Sequence, residues 1–393
     1  MSIFMRDYFN EKSQVRFVYP IDGDCLNIYD GKIKDGFLAI NVKVAAPIEA
    51  DIYIDEKKAG YDGKYFVSEI LLKTYRTTIV AENRKNGYQS LIVVYKLEDC
   101  VGKYRISLDD NILFLADLTK NKDVYTSLFD NSYLRIFKKA HDLYGAKIHI
   151  NIYYEHKDEA KDREFFSSDR EYFNLSMMTD KYKAEWKDNA DWLKLSFHAR
   201  SNFPGKPYGD TTMQRIDEDV TLVHREICRF AGPDTLSSVT TLHWGTTNEV
   251  GVRILRNHGY KGLNGGFEID ADGNAVLSYC YPKKLVEHIN ERDFWVDNVE
   301  NIVYSKIDMV LNCYPLDKIE SCLEKVYSDI HKAGYVELLI HEQYFYSDYI
   351  DYIPEYEEIV LTAAKWLSKR GYQGALMSEV MFEKFRSNDL PAY

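Results

Sequence analysis

The chain has 393 residues, 45% hydrophobic and 28% charged, with a formal net charge of -12. That length exceeds one ordinary core and is read as a small domain beside a barrel. The acidic balance and the lack of a concentrated Lys/Arg face argue against a nucleic-acid partner, and no apolar run reaches the ~18 residues needed to cross a bilayer.

The opening stretch, Met1 to Pro20, carries Arg6, Asp7, Glu11, Lys12 and Arg16 among its apolar residues. No secretory leader is read there, so a cytoplasmic location is the expectation. The six cysteines (Cys25, Cys100, Cys228, Cys280, Cys313 and Cys322) are scattered without a close pair, which suits free thiols better than a zinc knuckle or a redox dithiol. Tyrosine is abundant at 32 residues, but it suits strands and half-buried surfaces as well as sugar contacts and decides nothing by itself.

Residues 1–100 read as all-β. Gly36 to Val44 alternates, with Leu38, Ile40, Val42 and Val44 on one side; Ile52 and Ile54 continue the period of two, and Thr77 to Val80 and Leu91 to Tyr95 are β-branched runs. Turns are expected at Lys57 to Gly60, at Tyr61-Asp62-Gly63 and at Asn86-Gly87, the last a hairpin signal. Short strands at this spacing predict a small Ig-like β-sandwich.

From Val101 onward strands alternate with helices. The strand candidates are Tyr104 to Leu108, Lys147 to Tyr153, Leu193 to Phe197, Ser238 to Leu242, Lys261 to Leu263, Ser305 to Leu311, Val336 to Ile340 and Gly374 to Met377. Helices are predicted over Ser132 to Tyr144, Ser176 to Asn189, Met213 to Phe230, Glu249 to Asn257, Leu316 to His331 and Glu355 to Arg370. Repeated β-then-α units imply a parallel sheet closed into a (β/α) barrel over residues 101–393, with Gly266 to Tyr281 as an inserted hairpin.

In such folds the ligand side lies at the carboxyl ends of the strands. The first strand runs into Asp109-Asp110, the third into His198, the fourth into His243-Trp244 and the penultimate into His341-Glu342. Each residue alone suits a turn, a helix cap or a structural hydrogen bond; four such ends at one mouth suit a divalent metal, zinc or a similar ion, held by carboxylate and imidazole. Two adjacent aspartates point to opposite sides of an extended backbone unless the chain bends there, so one can bind metal while the other takes a proton.

At these residues the chain resembles the polysaccharide deacetylase superfamily, the NodB-homology barrel of carbohydrate esterases. Ser107-Leu108-Asp109-Asp110 resembles its first motif, Leu195-Ser196-Phe197-His198 the start of its second, and Leu338-Leu339-Ile340-His341 its closing motif. The resemblance implies that Asp109 is the general base, Asp110 and His198 are metal ligands, His341 is the general acid, and the substrate is an acetylated carbohydrate. Two positions depart from the pattern. Asn202 stands where a second-motif histidine is usual, and Thr241-Leu242-His243-Trp244-Gly245 replaces an Arg-Pro-aromatic sequence. The third ligand is then His243 or the Asn202 amide oxygen, with imidazole the stronger donor. Besides a metal-dependent deacetylase, the residues allow a glycan-binding barrel without turnover, or a glycosidase using carboxylates such as Asp110 and Glu342.

Overall fold

The computed structural model describes residue 3 and residues 6–157 and 162–382. In the first hundred residues two five-stranded sheets share one apolar core. The strands Arg16–Tyr19, Phe37–Ala45 and Phe66–Leu72 supply Phe17, Ile40 and Ile70 from one side; Ile52–Ile54, Arg76–Asn83 and Tyr88–Lys96 supply Ile54, Ile79 and Ile92 from the other. Alternation sets this out: in Phe37–Ala45 the side chains of Leu38, Ile40, Val42 and Val44 are buried while Asn41 and Lys43 are exposed. Asn86-Gly87 makes its turn, with Gly87 at φ +71° and its N–H on the Asn83 carbonyl. The expected turn at Lys57 to Gly60 lies elsewhere. Asp55 and Glu56, both at positive φ, form a two-residue turn, and Lys57–Lys58 and Gly60–Tyr61 are short strands.

The rest of the chain is mixed α/β around parallel strands. One sheet runs Leu193–Ala199, Ile148–Tyr153, Lys103–Asn111, Tyr335–His341, Met309–Val310, with Gln373–Gly374 also on Lys103–Asn111. A second runs Val239–Thr240, Gly262–Gly265, Ile302–Lys306, Phe294–Asp297. The two meet at both ends. Leu195 bridges Leu236 in parallel, and the segment 302–310 leaves one sheet to join the other, with Ile307 N–H on the Gly265 carbonyl and Asp308 N–H on that of Glu337. The predicted strand Ser305 to Leu311 is therefore two strands in two sheets. Phe294–Asp297 is antiparallel to Ile302–Lys306, a second exception beside the inserted hairpin Glu268–Ile269/Ala275–Val276.

The helices Ser132–Tyr144, Met213–Phe230, Glu249–Asn257 and Tyr356–Lys369 pack apolar faces onto this framework. Asn131, Thr212 and Asn248 cap the first three by accepting backbone N–H bonds, as short polar side chains at N-caps do. The expected helix Ser176 to Asn189 shrinks to Lys183–Asp188 behind a 3₁₀ turn at Leu175–Met177. Leu113–Lys120 and Lys283–Asn290 are helices that the sequence reading missed. A third apolar cluster, including Cys25, Val93 and Tyr95 with Val239, Phe294 and Tyr335, joins the first hundred residues to the parallel sheets. Tyr8 also reaches across, edge-on to Tyr281 and Trp295. No described helix is long and apolar enough to cross a membrane.

Candidate metal centre

Strand periodicity gives the parallel strands two different faces. In Lys103–Asn111 the residues Tyr104, Ile106 and Leu108 enter the main apolar core, so Arg105, Ser107 and Asp109 face the other way. Neighbouring strands add His149, Asn151 and Tyr153, then Ser196 and His198, then Glu337 and His341 in the same alternation. Fully buried polar groups persist only when partnered. A directional chain satisfies these. Arg105 binds Glu337 at 2.6–3.1 Å and donates to His149 Nδ1 at 2.7 Å. His149 Nε2–H then donates to Ser196 Oγ at 3.0 Å, Ser196 to Asn151 Oδ1 at 2.6 Å, and the Asn151 amide to Asp109 Oδ1 at 2.6 Å.

Asp109 and His341 are register partners on adjacent strands. At the next residue the backbone leaves the extended region. Asp110 has φ +63°, and the pairing with Ile148–Tyr153 shifts register between Leu108 and Asn111. Aspartate tolerates this left-handed conformation better than most residues. Asp110 thus departs from the extended backbone on which adjacent carboxylates point to opposite sides, the bend being the alternative that the sequence left open.

There Asp110 Oδ1 lies 3.0 Å from His198 Nε2 and 3.2 Å from His243 Nδ1, and the two ring nitrogens are 3.2 Å apart. These three groups form a potential metal-binding cluster. Their surroundings fix the tautomers. His198 Nδ1–H donates to the Thr241 carbonyl, and His243 Nε2–H to the Asn202 carbonyl at 3.2 Å. Each ring thus turns a lone pair toward Asp110, with its other nitrogen anchored in the manner of metal-bound histidines. Gln343 Nε2–H holds Asp110 Oδ2 at 3.0 Å. Among the described residues, the donor that reaches this group of lone pairs is the Tyr153 hydroxyl, bonded to Asp110 Oδ1 and 3.0 Å from His243 Nδ1.

Burial holds His198 below the ordinary imidazole range despite Asp110, with His243 adding to the depression, so its ring is neutral and its lone pair available. For Asp110, burial pushes upward but is outweighed by its close contacts with His198 and His243, and the carboxyl lies well below its usual range. Asp109 goes well above, through burial first and then the charge of Asp110. Three lone-pair atoms within 3.0–3.2 Å of one another suit a cation drawing them slightly apart, since bonds of about 2.0–2.2 Å in tetrahedral geometry set ligand atoms roughly 3.3–3.6 Å apart. Imidazole and carboxylate are the donor set of zinc and similar ions, so the residues present fit such a metal.

Of the predicted residues, Asp110, His198 and His243 come together. Asp109 lies on the adjoining interior position, and His341 feels the charge of Asp110. Burial lowers the His341 pKa, and its Nδ1–H donates to Asn312 Oδ1 at 2.9 Å. Asn202 contributes its backbone carbonyl to His243, while its amide oxygen lies 3.2 Å from the Tyr153 hydroxyl. Glu342 is engaged elsewhere. Its carboxylate accepts the N–H groups of Ile112, Leu113 and Phe114 at 2.7, 2.9 and 2.6 Å, capping the Leu113–Lys120 helix from across the fold. It is therefore not the second carboxylate a glycosidase paired with Asp110 requires. Trp244 sits at φ +62°, an outlier for a bulky residue, and leaves its indole half exposed beside His243.

Sequence reasoning missed Tyr153 and Asn151. Both lie on the second parallel strand, and Tyr153 ends it, so the strand-end rule that singled out His198 and His243 also reaches Tyr153.

No protein-family model and no curated sequence relative matches the chain. Solved structures similar to it include a CE4 family pseudoenzyme from Bacillus anthracis, at 10% identity over 83% of this chain and 88% of that one with a TM-score of 0.36. A mutant of the pseudoenzyme with restored enzymatic activity matches at 10% identity over 77% and 79%, TM-score 0.35. A CE4 esterase from Streptococcus mutans matches at 13% identity over 70% and 86%, TM-score 0.33. Overlaps this low leave the reading of the site to its own side chains.

Proposed function

We propose that this chain is a metal-dependent carbohydrate deacetylase of polysaccharide-deacetylase type, with residues 101–393 as a distorted (β/α) barrel and residues 1–100 as an accessory β-sandwich. The observation that carries the reading is the convergence of Asp110 Oδ1, His198 Nε2 and His243 Nδ1 at 3.0–3.2 Å, each imidazole anchored through its other nitrogen on a backbone carbonyl. Asp110, His198 and His243 would hold the ion, zinc or a similar one, which when bound supplies Lewis acidity to a scissile carbonyl.

The remaining roles fall to this chain's own groups. Asp109, its proton affinity raised by burial and by Asp110, takes the proton of the attacking water, and Asn151 fixes its orientation. His341, set in one tautomer by Asn312, passes a proton to the leaving group. The half-exposed indole of Trp244 offers a face for a sugar ring at the rim. A second reading, glycan binding without turnover, is favoured by Asn202 and by His243-Trp244 at the two positions that depart from the motifs.

Both readings are tested by metal analysis and acetate release on acetylated glycans, for the wild type beside Asp109→Asn, Asp110→Ala and His198→Ala. Deacetylation predicts acetate release that Asp109→Asn abolishes with the metal retained. Glycan binding by metal-loaded protein with no acetate released selects the second reading.

A further inference from the structure

The second parallel strand brings one more group to the centre. The Tyr153 side chain is buried, and its hydroxyl contacts Asp110 Oδ1, Asn202 Oδ1 at 3.2 Å, and His243 Nδ1 and Nε2 at 3.0 and 3.5 Å. The rings of Tyr153, His198 and His243 surround one point, with mutual centroid distances of 5.3, 5.3 and 5.0 Å. The hydroxyl therefore adjoins two of the three corners of the cluster, Asp110 Oδ1 and His243 Nδ1.

We infer that Tyr153 is the fourth ligand of this centre, so that the site is closed by the protein's own phenol and opens to water or substrate only when that phenol is displaced. The inference rests on the metal reading above and deepens it. Three protein ligands leave a coordination position free for water, whereas four describe a closed site. Ligation exchanges the phenolic O–H bond for an oxygen–metal bond, the proton leaving to solvent, because metal ligands of this kind bind deprotonated. Burial agrees with a closed site, the side chains of His198, His243 and Asp110 being 2%, 6% and 12% exposed.

The arrangement of hydrogen bonds supports ligation over a structural role. As a donor, the Tyr153 hydroxyl has one hydrogen, already directed at Asp110, yet it lies close to the lone pair on His243 Nδ1 as well. A cation shared among the four atoms satisfies them together, which one proton does not.

Copper(II) added to the metal-free full-length protein tests this by visible absorption. A phenolate-to-copper charge-transfer band is expected in the wild type and absent in Tyr153→Phe, and added azide should perturb the spectrum of Tyr153→Phe while leaving the wild type unchanged. Copper uptake without that band, or an equal response to azide in both proteins, overturns the role of Tyr153 and leaves the three-ligand site standing. Failure of the wild type to take up copper or zinc overturns both. Should Tyr153→Phe not fold, resonance Raman of the copper-loaded wild type decides alone: tyrosinate modes enhanced within the band support ligation, and their absence refutes it.

Discussion

Two sets of alternating strands in this chain bury opposite kinds of side chain. Between the sheets of the first hundred residues the inward face is Leu38, Ile40, Val42 and Val44 meeting Ile79 and Ile92, an apolar core that needs only shape and volume. On the parallel strands the equivalent alternate face is Arg105, Ser107 and Asp109 meeting His149, Asn151, Ser196 and Glu337. A polar interior of that kind is not a route to stability, because buried charges and amides gain little over well-packed hydrocarbon. It gives orientation instead: every bond in the chain from Glu337 to Asp109 has a direction, and it ends beside the cluster of Asp110, His198 and His243.

The comparison can be broken most forcefully at Arg105. Arg105→Met strands Glu337 in the interior, and a stability loss of about 3–5 kcal/mol is expected in urea unfolding; adding Glu337→Leu should recover much of it, whereas a double variant as unstable as the single one contradicts the account.

The next effect in size is a pH dependence. Burial, opposed by three backbone N–H groups and Tyr346, pushes the Glu342 carboxyl up to about 7 from an ordinary 4.5. A raised folded value means that the folded state holds the proton longer, so its contribution is full below 4.5 and is lost as pH rises through about 7, at up to about 1.4 kcal/mol per pH unit. Glu342→Gln should flatten the fall of thermal stability across that window. An unchanged slope would remove Glu342 as its source.

Ile40→Val, in the apolar core, should give a smaller effect, about 0.5–1.5 kcal/mol with no pH dependence. It should also leave metal affinity at the wild-type value; a change in affinity would mean that the two interiors are not independent.

Periodicity made much of this fold legible. Helices with their own caps, such as Met213–Phe230 behind Thr212 and Glu249–Asn257 behind Asn248, end where their sequences predict. The helix Leu113–Lys120 escaped because its cap, Glu342, lies far along the chain, and no local residue marks its start. The predicted strand Ser305 to Leu311 proved to be two strands because the strand pattern of a segment does not reveal a change of partner.

At the site, His198 and His243 were found from strand ends, as was the Asp109-Asp110 pair. The turn at Asp110 was not, since aspartate is compatible with both extended and left-handed backbone and only the bulge decides. The interior chain through Asn151 and Ser196 was equally hidden: such residues mid-strand look like ordinary alternation until the partner strands are known.

The most direct measurement is calorimetric titration of metal-free protein with zinc, for the wild type and for Asp110→Ala, His198→Ala and His243→Ala. The account predicts about one ion bound per chain, with affinity reduced at least tenfold in each variant. Equal binding by all four proteins, or none by the wild type, would contradict it.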